Sequence, residues 1–67
     1  MNEKGEAIEA LKENGYVKAK RSGGNHDLYW NDELKSLIPI SRGTNFDKTD
    51  KERILQEIRQ AKRRKGQ

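Results

Sequence analysis

Hydrophobic residues change their period along this chain, and each change marks an element. Between residues 3 and 14 the apolar positions are Ala7, Ile8, Ala10 and Leu11, and the i, i+3 spacing of Ile8 and Leu11 predicts one stripe of a short helix. Glutamates crowd its early turns, where the helix dipole favours them. Asn14-Gly15 should end it, because glycine tolerates the left-handed conformation just past a helix C-terminus. Residues 16–20 then alternate, Tyr16, Lys18 and Lys20 against Val17 and Ala19, which predicts a half-buried strand. A turn is expected over residues 21–25, since Ser22-Gly23-Gly24-Asn25 is nearly pure turn chemistry. Residues 26–30 predict a second strand, and the polar Asn31-Asp32-Glu33 a short hairpin connection. Residues 34–40 predict a third, with Leu34, Ser36, Ile38 and Ile40 on one face. Pro39 cannot donate a ladder hydrogen bond, so this strand should end there or lie at a sheet edge.

Residues 41–48 read as a loop anchored by the lone Phe46. Thr49 and Glu52 have the spacing of a capping box for a second helix, on which Ile54, Ile58 and Ala61 recur at i, i+4, i+7 with Leu55 beside them. Lys62-Arg63-Arg64-Lys65 closes it with charge suited to a helix C-terminus. The expected class is therefore α+β: an α-β-β-β-α order, a three-stranded antiparallel sheet, and two helices packed on one face. The other face is left open to solvent or to a partner. One alternation is undecided by pattern alone. Tyr29 and Trp30 are neighbours in a strand and cannot both face the core.

Composition narrows the functional classes. Sixty-seven residues make one small domain, and a chain of this size buries only about 60% of its unfolded surface. A deep pocket for a large cofactor is not expected, and no cofactor is assigned. The net charge is +4 and unevenly spread. Up to Asn14, four glutamates oppose two lysines, so everything after it carries +6. A basic remainder of this kind is the footprint of a nucleic-acid binder. With no cysteine, disulfides and thiolate metal sites are excluded, and a single histidine makes a tetrahedral zinc site improbable. No apolar run approaches a membrane span or a signal-peptide core, so the chain reads as cytosolic.

The candidate chemistry lies where that histidine sits. His26 follows Gly23-Gly24-Asn25, comes just after Lys18, Lys20 and Arg21, and opens the strand containing Tyr29 and Trp30. A helix ending in Asn14-Gly15-Tyr16, then Gly24-Asn25-His26-Asp27-Leu28-Tyr29, then a third strand closing on Pro39, resembles the HicA family of toxins. These are small messenger-RNA endonucleases of toxin–antitoxin pairs with a double-stranded-RNA-binding-like fold. The resemblance covers about the first forty residues. In that family a Gly-Ser-His element opens the second strand and an aromatic residue stands three positions after the histidine. Here Asn25 replaces the serine, and Asp27 replaces a second histidine seen in many members.

The resemblance implies that His26 is catalytic, that RNA is the substrate, and that a HicB-like antitoxin protein covers His26. The chemistry is also consistent on its own terms. RNA supplies its own nucleophile in the 2′-hydroxyl, and an imidazole, which ordinarily titrates near neutrality, can take or return its proton without a metal. Cations at the developing phosphoryl charge would add to this. The expected RNA contacts are Lys18, Lys20, Arg21, Gly24 and Arg42, with Tyr29 for base stacking or the second proton transfer. Two other readings compete: a non-catalytic RNA-binding module in which His26 is an ordinary turn residue, and a protein–protein adaptor using the open sheet face.

Overall fold

The structure, a computed structural model, describes residues 2–43 and 45–66, with the backbone alone at residues 21–23. Helix α1 spans Glu3–Glu13, strands β1, β2 and β3 span Val17–Gly23, His26–Asn31 and Ser36–Ser41, and helix α2 spans Lys48–Lys65. The strands form one antiparallel sheet in the order β1-β2-β3, so the α+β class holds as read from the pattern.

Helix α1 begins where Asn2, in extended conformation, accepts a hydrogen bond from the Gly5 amide at 2.7 Å. It ends at Asn14-Gly15-Tyr16 in a way the residues dictate. Gly15 takes φ +89, its amide donates to the Lys12 carbonyl at 3.1 Å, and the Tyr16 amide donates to the Leu11 carbonyl at 2.9 Å. This is the paired hydrogen-bond pattern of a Schellman cap, and its apolar partners, Leu11 and Tyr16, are both in the core. A Cβ on Gly15 would also stand 3.1 Å from the Asn31 amide nitrogen.

Helix α2 is capped two residues before the expected Thr49. Its cap is Asp47, whose Oδ1 accepts from the Asp50 amide while Asp50 Oδ2 accepts from the Asp47 amide, both at 3.1 Å. Phe46, half-buried against the core, sets where the chain enters the helix, and Thr49 falls inside the first turn. The helix runs unbroken through the basic tract to Lys65.

The core lies between the sheet and the helices. Ala7 and Leu11 of α1 and Ile54 and Ile58 of α2 meet Tyr29, Ile38 and Ile40 of the sheet. Tyr16 is buried with them, and its hydroxyl donates to Ser36 Oγ at 2.8 Å. The two helices are also joined by charge. Lys51 Nζ stands 2.8 Å from Glu3 Oε2 and 2.9 Å from Glu6 Oε1.

The strand boundaries differ from expectation. β1 continues through residues 21–23, which the turn chemistry had reserved for a loop, because the ladder pairs Ser22 with Asp27 and Gly23 with His26. β3 begins at Ser36, and Leu34 and Lys35 belong to the β2–β3 turn, where Lys35 takes φ +53. Pro39 sits on β3, an edge strand, as its missing donor requires, though the strand continues past it to Ser41.

Candidate nucleic-acid interface

His26 is positioned by the tight hairpin that precedes it. Because Gly23 pairs with His26, only Gly24 and Asn25 are left to turn the chain. Gly24 has φ +66, and Asn25 has no positive φ, the signature of a type II′ turn with glycine at its first central position. Nothing stands within 4 Å of where a Gly24 Cβ would be. Its positive φ is one that glycine adopts without strain, and the space beside it is open. The Arg42 amide donates to the Asn25 carbonyl at 2.9 Å, extending the β2–β3 ladder beyond its last strand pair.

The two sides of β2 differ sharply. Tyr29 and Asn31 are 4% and 2% exposed and face the helices, on the same side as Ser36, Ile38 and Ile40 of β3. His26, Leu28 and Trp30 alternate onto the open face, where Trp30 lies directly between Val17 on β1 and Leu37 on β3, and Leu28 lies opposite Pro39. Val17 is 62% and Leu37 51% exposed. His26 is exposed at one end of this apolar row, opposite Ser41, and among the described residues no side chain or carbonyl hydrogen-bonds its ring.

Other expected contacts do not gather around it. Lys18 pairs with Tyr29 in the ladder and so lies on the helix side. Its Nζ is 4.0 Å from Asp27 Oδ1, and Arg42 Nε donates to the same oxygen at 2.8 Å. Asp27 is one residue on from His26 and therefore points to the opposite side. The Arg42 hydrogen bond holds the Asp27 carboxyl below its ordinary value, partial burial opposes this, and Lys18 and Lys4 add to the lowering. Thus two of the expected cations are tied to a carboxylate across the sheet from His26. Beside them Lys4 and Arg42, with Asn2, Gly43 and Phe46, line a concavity of about 340 Å³. Lys20 is exposed in the irregular part of β1, where the register slips between Lys18 and Ser22. The Arg21 side chain lies outside the described residues.

Tyr29 must be reassigned. Its ring is in the core, on the side of β2 away from His26, and burial together with the nearby Asp27 charge raises its hydroxyl above the usual value of 10.0. It neither stacks on a ligand at the open face nor serves His26 as a proton partner. Trp30 is the aromatic residue that shares the histidine's surface.

Sequence reasoning also missed Asn31 and Asp27 as organisers. Asn31 was read as connection, yet it is buried at the end of β2. Asp27 was noted only as a departure from a motif. Its capture of Arg42, fifteen residues on, has no local signal.

Among the described residues no helix is long and apolar enough to cross a membrane, and no cluster of histidine, aspartate and glutamate is placed to hold a metal ion. On α2, Lys65 is 2.8 Å from Glu33, while Arg59, Lys62, Arg63 and Arg64 form no ion pair among the described residues. Compared with known proteins, the chain matches no family model, no curated protein and no solved structure.

Proposed function

We propose that this protein is a cytoplasmic endoribonuclease of the toxin type, acting on messenger RNA with His26 as its proton-transfer group. The observation that carries the reading is the exposed imidazole, free of intramolecular hydrogen bonds among the described residues, at the rim of an open sheet face in a basic chain. The reaction needs little else. His26 takes the proton of the ribose 2′-hydroxyl, the 2′-oxygen bonds to the adjacent phosphorus, the bond to the 5′-oxygen breaks, and that oxygen receives a proton. General acid–base help of this kind is worth about 10² to 10⁴ in rate. Lys20 is the described cation nearest in sequence that is not engaged by Asp27. Arg42 would serve only after leaving its carboxylate. A protein antitoxin that covers His26 and extends beyond the open face onto neighbouring surface would halt the reaction.

The second reading is a non-catalytic RNA-binding module. The pairing of Lys18 and Arg42 with Asp27 favours it, because it leaves the phosphoryl charge near His26 without those two cations. Induced expression of the parent and of His26→Ala, followed by mapping of transcript ends, separates them. The nuclease reading expects discrete new ends with the parent and none with the variant. Equal cleavage by both refutes a role for His26. Intact transcripts with the parent, together with salt-sensitive RNA binding in vitro, establish the module instead.

A further inference from the structure

We infer that the open sheet face is a stacking platform for the bases of single-stranded RNA, with the Trp30 indole at its centre. The inference rests on the reading that RNA is the ligand, and it names which form of RNA and which surface. Three observations carry it.

The face is built for bases and not for phosphates. Among the described residues its side chains are His26, Leu28 and Trp30 of β2 with Val17, Leu37, Pro39 and Ser41 beside them, and none carries a carboxylate. Trp30 is half-buried between Val17 and Leu37, so the ring is braced from both neighbouring strands and still has surface in water. Aromatic rings presented in this way take any base, because every base has a π-face.

The face by itself is too small for a folded partner. Three strands about 4.8 Å apart and six or seven residues long, rising about 3.3 Å per residue, cover about 300 Å² in projection. A stable protein–protein interface takes about 800 Å² from each side. A second copy, or a globular protein confined to this surface, would bury too little. One or two nucleobases need no more than is here.

The charge agrees. A polyanion approaching the face meets a chain of net charge +4, and the one carboxylate on β2 near His26, Asp27, is turned to the far side. Duplex RNA keeps its bases stacked on one another and offers the protein only backbone and groove edges, so it has nothing to lay on an indole. Trp30 and His26 are four residues apart on one strand, about 13 Å along β2. A chain held by one base at Trp30 and running along the strand would reach the imidazole within a few nucleotides.

Trp30 is the only tryptophan, so its own fluorescence reads the contact without a label. The probe is an unstructured oligoribonucleotide made with 2′-O-methyl sugars, which removes the attacking hydroxyl and prevents cleavage during the titration. Saturable quenching is expected with the single strand and little with the same sequence as a duplex. Trp30→Leu should weaken single-strand binding, followed by anisotropy of a labelled strand, by about 5- to 150-fold, the range for one lost base stack. If that variant misfolds by circular dichroism, Val17→Glu serves, since position 17 is 62% exposed. It should weaken binding, while Gln60→Glu on the exposed side of α2, equal in charge, should not. Equal binding of duplex and single strand, or variants on the face that bind like the parent, overturn the platform. Transcript cleavage that survives Trp30→Leu unchanged sinks the platform and spares the nuclease. Trp30-dependent binding with cleavage unaffected by His26→Ala does the reverse.

Discussion

Replacing Asn31 by alanine should cost this small protein a large part of its stability. Asn31 is 2% exposed, and its side-chain amide spans two elements. Nδ2 donates to the Asn14 carbonyl at the end of α1 at 2.7 Å, and Oδ1 accepts from the Leu34 amide in the β2–β3 turn at 2.8 Å. Alanine removes both bonds and leaves two part-buried main-chain groups to find water. Each such loss is worth about 1 to 3 kcal/mol, so about 2 to 4 kcal/mol is expected for the pair once partial rehydration is allowed. A domain of this length is stable by only about 3 to 10 kcal/mol in total. With a urea slope near 1 kcal/mol per M, the low end for small proteins, the midpoint should fall by about 2 M or more. Urea titrations followed by far-ultraviolet circular dichroism check this. Asn31→Asp, which keeps the acceptor but buries a charge against a carbonyl, should fall at least as far at pH 7. A midpoint for Asn31→Ala within about 0.3 M of the parent would show that the bridge carries no weight. Asn31 faces the helices while His26 and Trp30 face the other way, so RNA binding measured well below the transition should be unchanged.

Two further outcomes follow from the ion pairs. Lys51 holds the Glu6 carboxyl below its ordinary 4.5, and Glu3 and Glu6 raise the Lys51 ammonium above 10.5. A depressed carboxyl stabilises fully above its unfolded value and loses that contribution as pH falls through the lower folded one, whereas the raised ammonium loses its contribution only above pH 10.5. Urea midpoints measured from pH 7 to pH 3 should therefore fall more steeply for the parent than for Lys51→Met, and parallel curves would refute the clamp. Asp27→Asn should release Lys18 and Arg42 and tighten RNA binding several-fold at low salt. The salt slope should steepen by about 0.7 for each cation that moves to a phosphate of a single strand, and an unchanged slope would mean that neither cation reaches the RNA.

Much of the fold was legible because its signals are local. The stripe of Ile54, Ile58 and Ala61, buried as the i, i+4, i+7 spacing required, needs only a helix period to be seen. Asn14-Gly15-Tyr16 specifies a helix end through one glycine's freedom at positive φ and one apolar pair. Capping was harder to place. Thr49/Glu52 and Asp47/Asp50 have the same three-residue spacing, and the choice between them was made by Phe46 packing on the core, which is not a local property.

For the candidate site, the chain's own residues determine that His26 opens a strand after a glycine turn, and that Leu28 and Trp30 share its side while Asp27 and Tyr29 take the other. A period of two sets which residues go together, but it carries no sign. Only the tertiary structure decided which set meets water. The helices cover the side with Ile38 and Ile40, and that one choice buried Tyr29, exposed His26 with Trp30, and sent Asp27 to bind Lys18 and Arg42. The physical reason is that burial is settled by the apolar area summed over all three strands and both helices, a quantity no single strand contains.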